Sequence, residues 1–240
     1  MKDMEKVPDH SDLKRFYDTV YHRDAMTKPT SSGHLRRLAS RLTSGRGQRI
    51  LDVACGAGEW LLTVEQFGAI PFGIDISRRA ICACRERGPS GHFAVAAAEN
   101  LPFRQEEFDL VTCLGSLEHF LSPESALDEM LRVGSDDATY LFLVPNSGFL
   151  TSRLGLWHGT EQAGVREETR ALSEWRELFE AAGLRIESRW RDLHVLSWGW
   201  ITADSWIRLP LRALQAVALI LWPPGWQYQL YYLCRKNTKQ

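Results

Sequence analysis

The stretch Ile50-Leu51-Asp52-Val53-Ala54-Cys55-Gly56-Ala57-Gly58-Glu59-Trp60 constrains this chain more than any other. A short apolar run, Arg49 to Val53, stops at small residues, and a helical pattern starts at once. That order predicts a buried strand, a tight glycine turn and a helix start. Glycines at the turn let backbone come close to a ligand that a Cβ would hold off. The helix start adds free N–H groups and the positive end of a dipole. By itself such a turn also serves plain strand-to-helix packing, so the next strand matters.

Ala69 to Ile76 is apolar and carries Asp75 near its end. An acid about 20 residues past a glycine turn, at the tip of the second strand, is placed to bind a ribose diol. The dinucleotide pattern G-x-G-x-x-G fails, because Leu61 stands at its third glycine. The turn Asp52-Val53-Ala54-Cys55-Gly56-Ala57-Gly58 instead resembles the first motif, D-x-G-x-G-x-G, of the class I S-adenosylmethionine-dependent methyltransferases. Ala54 replaces that motif's first glycine. The resemblance implies S-adenosylmethionine as cofactor. It needs one glycine turn and one ribose acid, since it carries no pyrophosphate.

Strands and helices alternate through the chain, which predicts right-handed βαβ units and a parallel sheet. A helix from Ser11, capped by Asp12, carries Leu13, Phe16, Tyr17, Val20 and Tyr21 on one face. By resemblance this helix folds over the cofactor cleft, where the hydroxyl of Tyr17 or Tyr21 touches the methionine carboxylate. Residues 22–33 read as a linker or lid hinge, followed by a helix at 34–43. After the glycine turn come a helix at Glu59–Phe67, a helix capped by Ser77 and a strand at His92–Ala97. In the resembled family the next loop passes the adenine, and Glu99 and Asn100 match the residues there.

Phe108 to Gly115 is a fourth strand, followed by Ser116-Leu117-Glu118-His119-Phe120. Ligands bind at the carboxyl ends of strands in open α/β sheets, which singles out Leu114, Gly115, Glu118 and His119. The Leu-Glu-His string is similar to that of the ubiquinone- and menaquinone-type methyltransferases. Histidine titrates near neutrality, so His119 is a candidate base for a hydroxyl acceptor; the alternative is a histidine bonded to backbone. A helix at Pro123–Val133, a strand at Ala138–Asn146 and a helix capped by Ser173 follow. Strands at Leu184–Arg191 and Tyr228–Cys234 close the sheet as an antiparallel hairpin. Trp157 and His158, after the fifth strand, are candidates for the acceptor pocket.

The chain of 240 residues reads as one domain, 1–240. Residues 1–45 form a helical cover, 46–146 the cofactor core, and 147–240 the acceptor side with an insertion at 192–227. That insertion is rich in tryptophan: Trp198, Trp200, Trp206, Trp222 and Trp226. Three readings of it stay open: a lid over the pocket, a homodimer contact, or a peripheral membrane contact that reaches a lipid-linked acceptor. Its apolar run is too short to span a bilayer, which takes about 20 residues. A net charge of −1 gives no case for a nucleic-acid partner. Five cysteines without a framework of spacings suit a reducing cytoplasm, and Cys82-Ala83-Cys84 lacks the further ligands of a zinc site.

The expected fold is therefore α/β and Rossmann-like: a seven-stranded, mostly parallel sheet with helices on both faces. The expected activity is methyl transfer from S-adenosylmethionine to a small acceptor, through an oxygen if His119 is a base, with no metal. Asp75 is assigned to the ribose, with Ile76 beside it. Gly56, Gly58 and Ala54 provide backbone approach, and Asp52 holds the methionine end. Two other classes are weighed: a noncatalytic cofactor-binding protein, and a nicotinamide-dependent oxidoreductase, which the failed third glycine argues against.

Overall fold

The computed structural model describes residues 9–21, 32–153, 168–192 and 220–237. Seven strands form one sheet: β1 Arg49–Val53, β2 Ile70–Asp75, β3 His92–Val95, β4 Phe108–Leu114, β5 Gly134–Pro145, β6 Leu184–Arg191 and β7 Gln229–Lys236. Their order is β3-β2-β1-β4-β5-β7-β6. Only the β5–β7 and β6–β7 pairings are antiparallel. The order reverses between β1 and β4, which both start from the middle of the sheet. A cleft opens above their carboxyl ends at such a point.

Side chains on β1 and β4 alternate between two apolar cores, as strands buried on both faces require. Ile50 and Leu110 pack with Leu38, Trp60, Leu61 and Ile81. These come from helices α2 (Gly33–Leu42), α3 (Glu59–Gln66) and α4 (Arg78–Arg87). Leu51, Val53, Val111 and Cys113 pack on the other face with Leu127, Met130, Trp175 and Phe179. Those come from α5 (Pro123–Val133) and α7 (Leu172–Ala181). The buried Trp175 indole also donates to Pro145 O at 2.7 Å, so its one polar atom is satisfied.

Several boundaries differ from the sequence reading. The first helix, α1 (His10–Phe16), is capped by Asp9 rather than Asp12, and it continues as a π-helical turn, Tyr17–Tyr21. Asp12 sits three residues inside and accepts from the Asp9 N–H, completing a reciprocal cap. β3 ends at Val95, because Ala96 already turns into the loop. β5 starts four residues early, at Gly134, where pairing with Phe108 overrides a polar run with low strand preference. α7 starts at Leu172 with Ala171 as its cap residue instead of Ser173. The Glu174 carboxylate accepts the Ala171 N–H. A short helix, α6 (Leu150–Arg153), opens the stretch expected to be irregular.

The β6–β7 pairing runs to Arg191↔Leu230, and Asp192 N then donates to Gln229 O at 3.1 Å. Asn146, buried at the end of β5, donates to both Gly225 O and Gln227 O at 3.0 Å. Both ends of the described insertion are thus tied to the sheet. Trp198, Trp200 and Trp206 lie outside the described residues, as do Trp157 and His158. No helix among the described residues is long and apolar enough to cross a membrane.

Candidate cofactor and acceptor site

A cavity of about 410 Å³ lies above the carboxyl ends of β1, β2 and β4. Its volume is within the usual span for small-molecule sites, about 300–1,000 Å³. One wall is the turn after β1. Ala54 has φ +62°, Gly56 φ +52° and Gly58 φ +84°, so every second residue of the turn is left-handed. Ala54 and Gly56 line the cavity, whereas Gly58 does not. A Cβ on Gly58 would meet Cys84 Sγ at 2.4 Å. Its glycine therefore serves α3–α4 packing rather than approach to a ligand, which corrects the sequence assignment.

Asp75 stands at the end of β2, buried beside that turn. Its Oδ2 accepts from Gly56 N at 2.9 Å and its Oδ1 from Ser77 N at 2.8 Å. The carboxylate is thus oriented by backbone donors from both of the loops that flank it. Ser77 caps α4 by accepting from Ala80 N. Ile76, between them, also faces the cavity.

Asp52 points into the same space from β1. It is buried, and Thr112 Oγ1 donates to its Oδ1 at 2.6 Å. Burial first, and the nearby Asp75 charge to a smaller degree, push its carboxyl up from 3.8 to about 7, against the pull of the Thr112 bond. A cationic group placed beside it would reverse that. Leu114 and Gly115 end β4 at the cavity, with Gly115 at φ +75°.

Glu99 lines the cavity after β3, but Asn100 is exposed and lies outside it. The Glu99 carboxylate spans three elements. Oε1 accepts from Leu121 N at 3.0 Å and Ser122 N at 3.3 Å, and Oε2 meets His10 Nε2 at 3.2 Å. Arg132 holds the following loop by donating to Leu101 O and Phe103 O.

The helical cover closes the top through His10, Leu13 and Tyr17, and Leu35 of α2 joins them. Tyr21 ends the π-turn. Asp18 docks the cover: its Oδ1 accepts from Ser77 Oγ at 2.7 Å and from Arg79 N at 3.2 Å. His10 and Leu35 escaped the sequence reading. His10 falls three before Leu13 and seven before Tyr17, so helical spacing did carry its signal. Nothing local marks Leu35.

His119 lies in the short 3-10 turn Leu117–His119 and lines the same cavity as Ala54 and Asp52. Burial lowers its ring to about 4, so it is neutral at pH 7. Glu118, beside it, is buried away from the cavity, and its backbone carbonyl accepts from Glu168 N. Two buried polar atoms of cavity-lining residues, Trp60 Nε1 and His119 Nδ1, have no hydrogen-bond partner among the described residues.

The strand order, the left-handed turn and the acid at the β2 tip define a class I S-adenosylmethionine-dependent methyltransferase. The methyltransferase-domain family matches residues 22–189, and the chain belongs to it. The uncharacterized methyltransferase YcgJ of Bacillus subtilis is 28% identical over 170 residues, covering 67% of this chain and 64% of YcgJ. This chain thus spans just under two thirds of that relative. The ubiquinone biosynthesis O-methyltransferase of Hahella chejuensis is 28% identical over 198 residues, 77% of this chain and 81% of the relative.

Solved structures agree on the fold. The magnesium protoporphyrin IX methyltransferase ChlM of Synechocystis, with bound S-adenosylhomocysteine, superposes with a TM-score of 0.64 at 14% identity, over 95% of this chain and 100% of ChlM. The [4+2]-cyclase SpnF superposes with a TM-score of 0.67 at 20% identity, over 96% of this chain and 97% of SpnF. The family's cofactor is S-adenosylmethionine, and the cavity suits it in chemistry. It offers a buried carboxylate for a diol, a second carboxyl that a cation would ionise, and a turn whose Ala54 and Gly56, both left-handed, line the space.

Proposed function

We propose that this chain transfers the methyl group of S-adenosylmethionine to an oxygen of a small, hydrophobic acceptor in the cytoplasm. The observation that carries the reading is the placement of Asp75 and His119 on one cavity, with Asp75 already oriented by Gly56 and Ser77. When bound, the cofactor supplies a sulfonium-activated methyl group open to in-line attack. Asp75 would hold its ribose hydroxyls, and Asp52 its methionine ammonium, directly or through water. Glu99 borders the adenine side, Leu114 and Gly115 form the floor, and Tyr17 and Leu13 exclude water from above. Trp60 Nε1 and His119 are left as polar groups to meet the acceptor, so the chain works by alignment and desolvation.

A hydrophobic acceptor is supported by the end of the insertion. Ile220 and Leu221 are exposed there, and Trp222 meets Trp226 edge-on. Binding to lipid vesicles, or activity stimulated by them, would favour a lipid-carried acceptor; a dimer in solution would reassign that surface. All five cysteines are free thiols, in keeping with a reducing compartment.

The test is calorimetric titration with S-adenosylmethionine and S-adenosylhomocysteine, wild type beside Asp75→Ala. Removing a charged hydrogen-bond acceptor should weaken binding by about 1.5–3 kcal/mol. Failure of both ligands to bind the wild type overturns the reading. A cofactor-binding protein without turnover is the second reading, favoured by the low basicity of His119. It predicts tight binding and no product from any acceptor.

A further inference from the structure

His119 is nine-tenths buried in the cavity wall. Its Nδ1 is shielded and has no hydrogen-bond partner among the described residues, which leaves Nε2 as the nitrogen that can meet a ligand. A histidine that works as a base normally has Nδ1–H held by an acceptor. That partner sets the tautomer and stabilises the imidazolium that forms. Here, proton uptake at Nε2 would create a buried cation whose Nδ1–H faces nothing, and desolvation makes such a state costly. The lowered ring basicity follows from the same burial. For the neutral ring, a buried lone pair without a donor is easier to tolerate than a buried N–H without an acceptor. The proton then sits on Nε2.

We propose that His119 acts as a neutral Nε2–H donor rather than a base, and that the acceptor is an oxygen acid already ionised when it binds: a carboxylate, phenolate or enolate. This rests on the methyl-transfer reading above and names its substrate class. An oxyanion can accept the Nε2–H with one lone pair and present another to the methyl carbon. A neutral amine has a single lone pair and cannot do both. The new O–C bond forms as the methyl C–S bond breaks, and the C–S electron pair stays on sulfur as a thioether. The anion's charge cancels the sulfonium's, so no proton has to move. An aliphatic alcohol would leave a proton to be removed. Three of the cavity's four carboxylates are engaged elsewhere: Asp52 with Thr112, Asp75 with Gly56 and Ser77, Glu99 with Leu121, Ser122 and His10. The fourth, Glu59, opens α3 and is exposed to solvent.

The experiment is nitrogen NMR of imidazole-labelled protein in complex with S-adenosylhomocysteine, from about pH 5 to about pH 8, across the usual histidine range. The expected His119 signal is a neutral, Nε2-protonated ring throughout. An Nδ1-protonated ring, or one that titrates near neutrality, overturns the proposal while leaving the cofactor reading intact. If S-adenosylhomocysteine fails to bind, both fall. Radiolabelled methyl transfer to benzyl alcohol by the wild type would also overturn it. With an ionised acceptor, His119→Ala should lose about 100-fold in turnover, as removal of a positioned donor does. His119→Gln, which restores an N–H near the same place but cannot take a proton, should recover at least tenfold of that. Equal loss in both variants would instead mark a base.

Discussion

Asp18 accepts a hydrogen bond from Ser77 Oγ at 2.7 Å, and the N–H of that same serine is donated to Asp75. The cover and the proposed ribose carboxylate therefore share one residue as their link. Asp18 also accepts from Arg79 N, at the N-terminus of α4, where a negative charge is favoured.

Asp18→Ala should loosen the cover without touching the cavity's own groups. The expected result is weaker binding of S-adenosylhomocysteine by about 1 kcal/mol, a typical hydrogen bond's share. Ser77→Ala should act on the same contact, so the double variant should lose less than the sum of the two. Calorimetry on the four proteins tests both statements. Fully additive losses would mean that Asp18 and Ser77 act apart.

With Asp52 at the proposed ammonium site, stability and binding should respond to pH in opposite senses. Its folded value, about 7, lies above the ordinary 3.8, so the folded chain keeps a proton that the unfolded chain releases. Its contribution is fully present below about pH 4 and is lost as pH rises through 7. Asp52→Asn removes that loss. The variant should be more stable than wild type at pH 8 by on the order of 2–4 kcal/mol, and nearly equal to it at pH 4. Cofactor affinity should behave the other way, rising with pH up to about 7 in the wild type and staying flat and weak in the variant. Chemical denaturation and titrations across that range measure each.

The left-handed turn offers a pair of contrasting substitutions. Ala54 holds φ +62° with a Cβ that the conformation disfavours, so Ala54→Gly should stabilise the fold by about 1 kcal/mol. Gly58→Ala adds the same backbone strain and drives a Cβ into Cys84 Sγ, so a loss of about 2–4 kcal/mol is expected. Gly58→Ala combined with Cys84→Ala should recover the part due to overlap and keep the part due to φ. Thermal unfolding of the three variants separates the two contributions.

The parts of the site that could be read from sequence are those whose signal is local. The run Arg49 to Trp60 and the acid at the β2 tip each lie within a few residues of the feature that explains them. Asp75 and Asp52 accordingly stand where they were expected. Glu99 and Asn100 looked alike in sequence, yet only Glu99 faces the cavity, because side-chain direction in a loop depends on the elements that pin it. Here the pins are Leu121, Ser122 and His10, 89 residues away from Glu99 at the farthest. Gly58 was legible as a required glycine, but the cause, a thiol on the neighbouring helix, is tertiary. The same holds for Leu35, and for the early start of β5, where pairing with β4 outweighs the polar residues.

The end of β6 and the start of β7 meet at Asp192 and Gln229, as the two strands of a hairpin meet at its turn. The chain between them starts and ends at one place on the sheet, so its length adds to closure entropy only logarithmically. Sequence change there does not have to be compensated in the strands. An ancestor with a plain turn at this place and a descendant with a long one could share the same core. If this insertion meets the acceptor, as proposed, acceptor choice is free to diverge faster than the machinery that binds the cofactor.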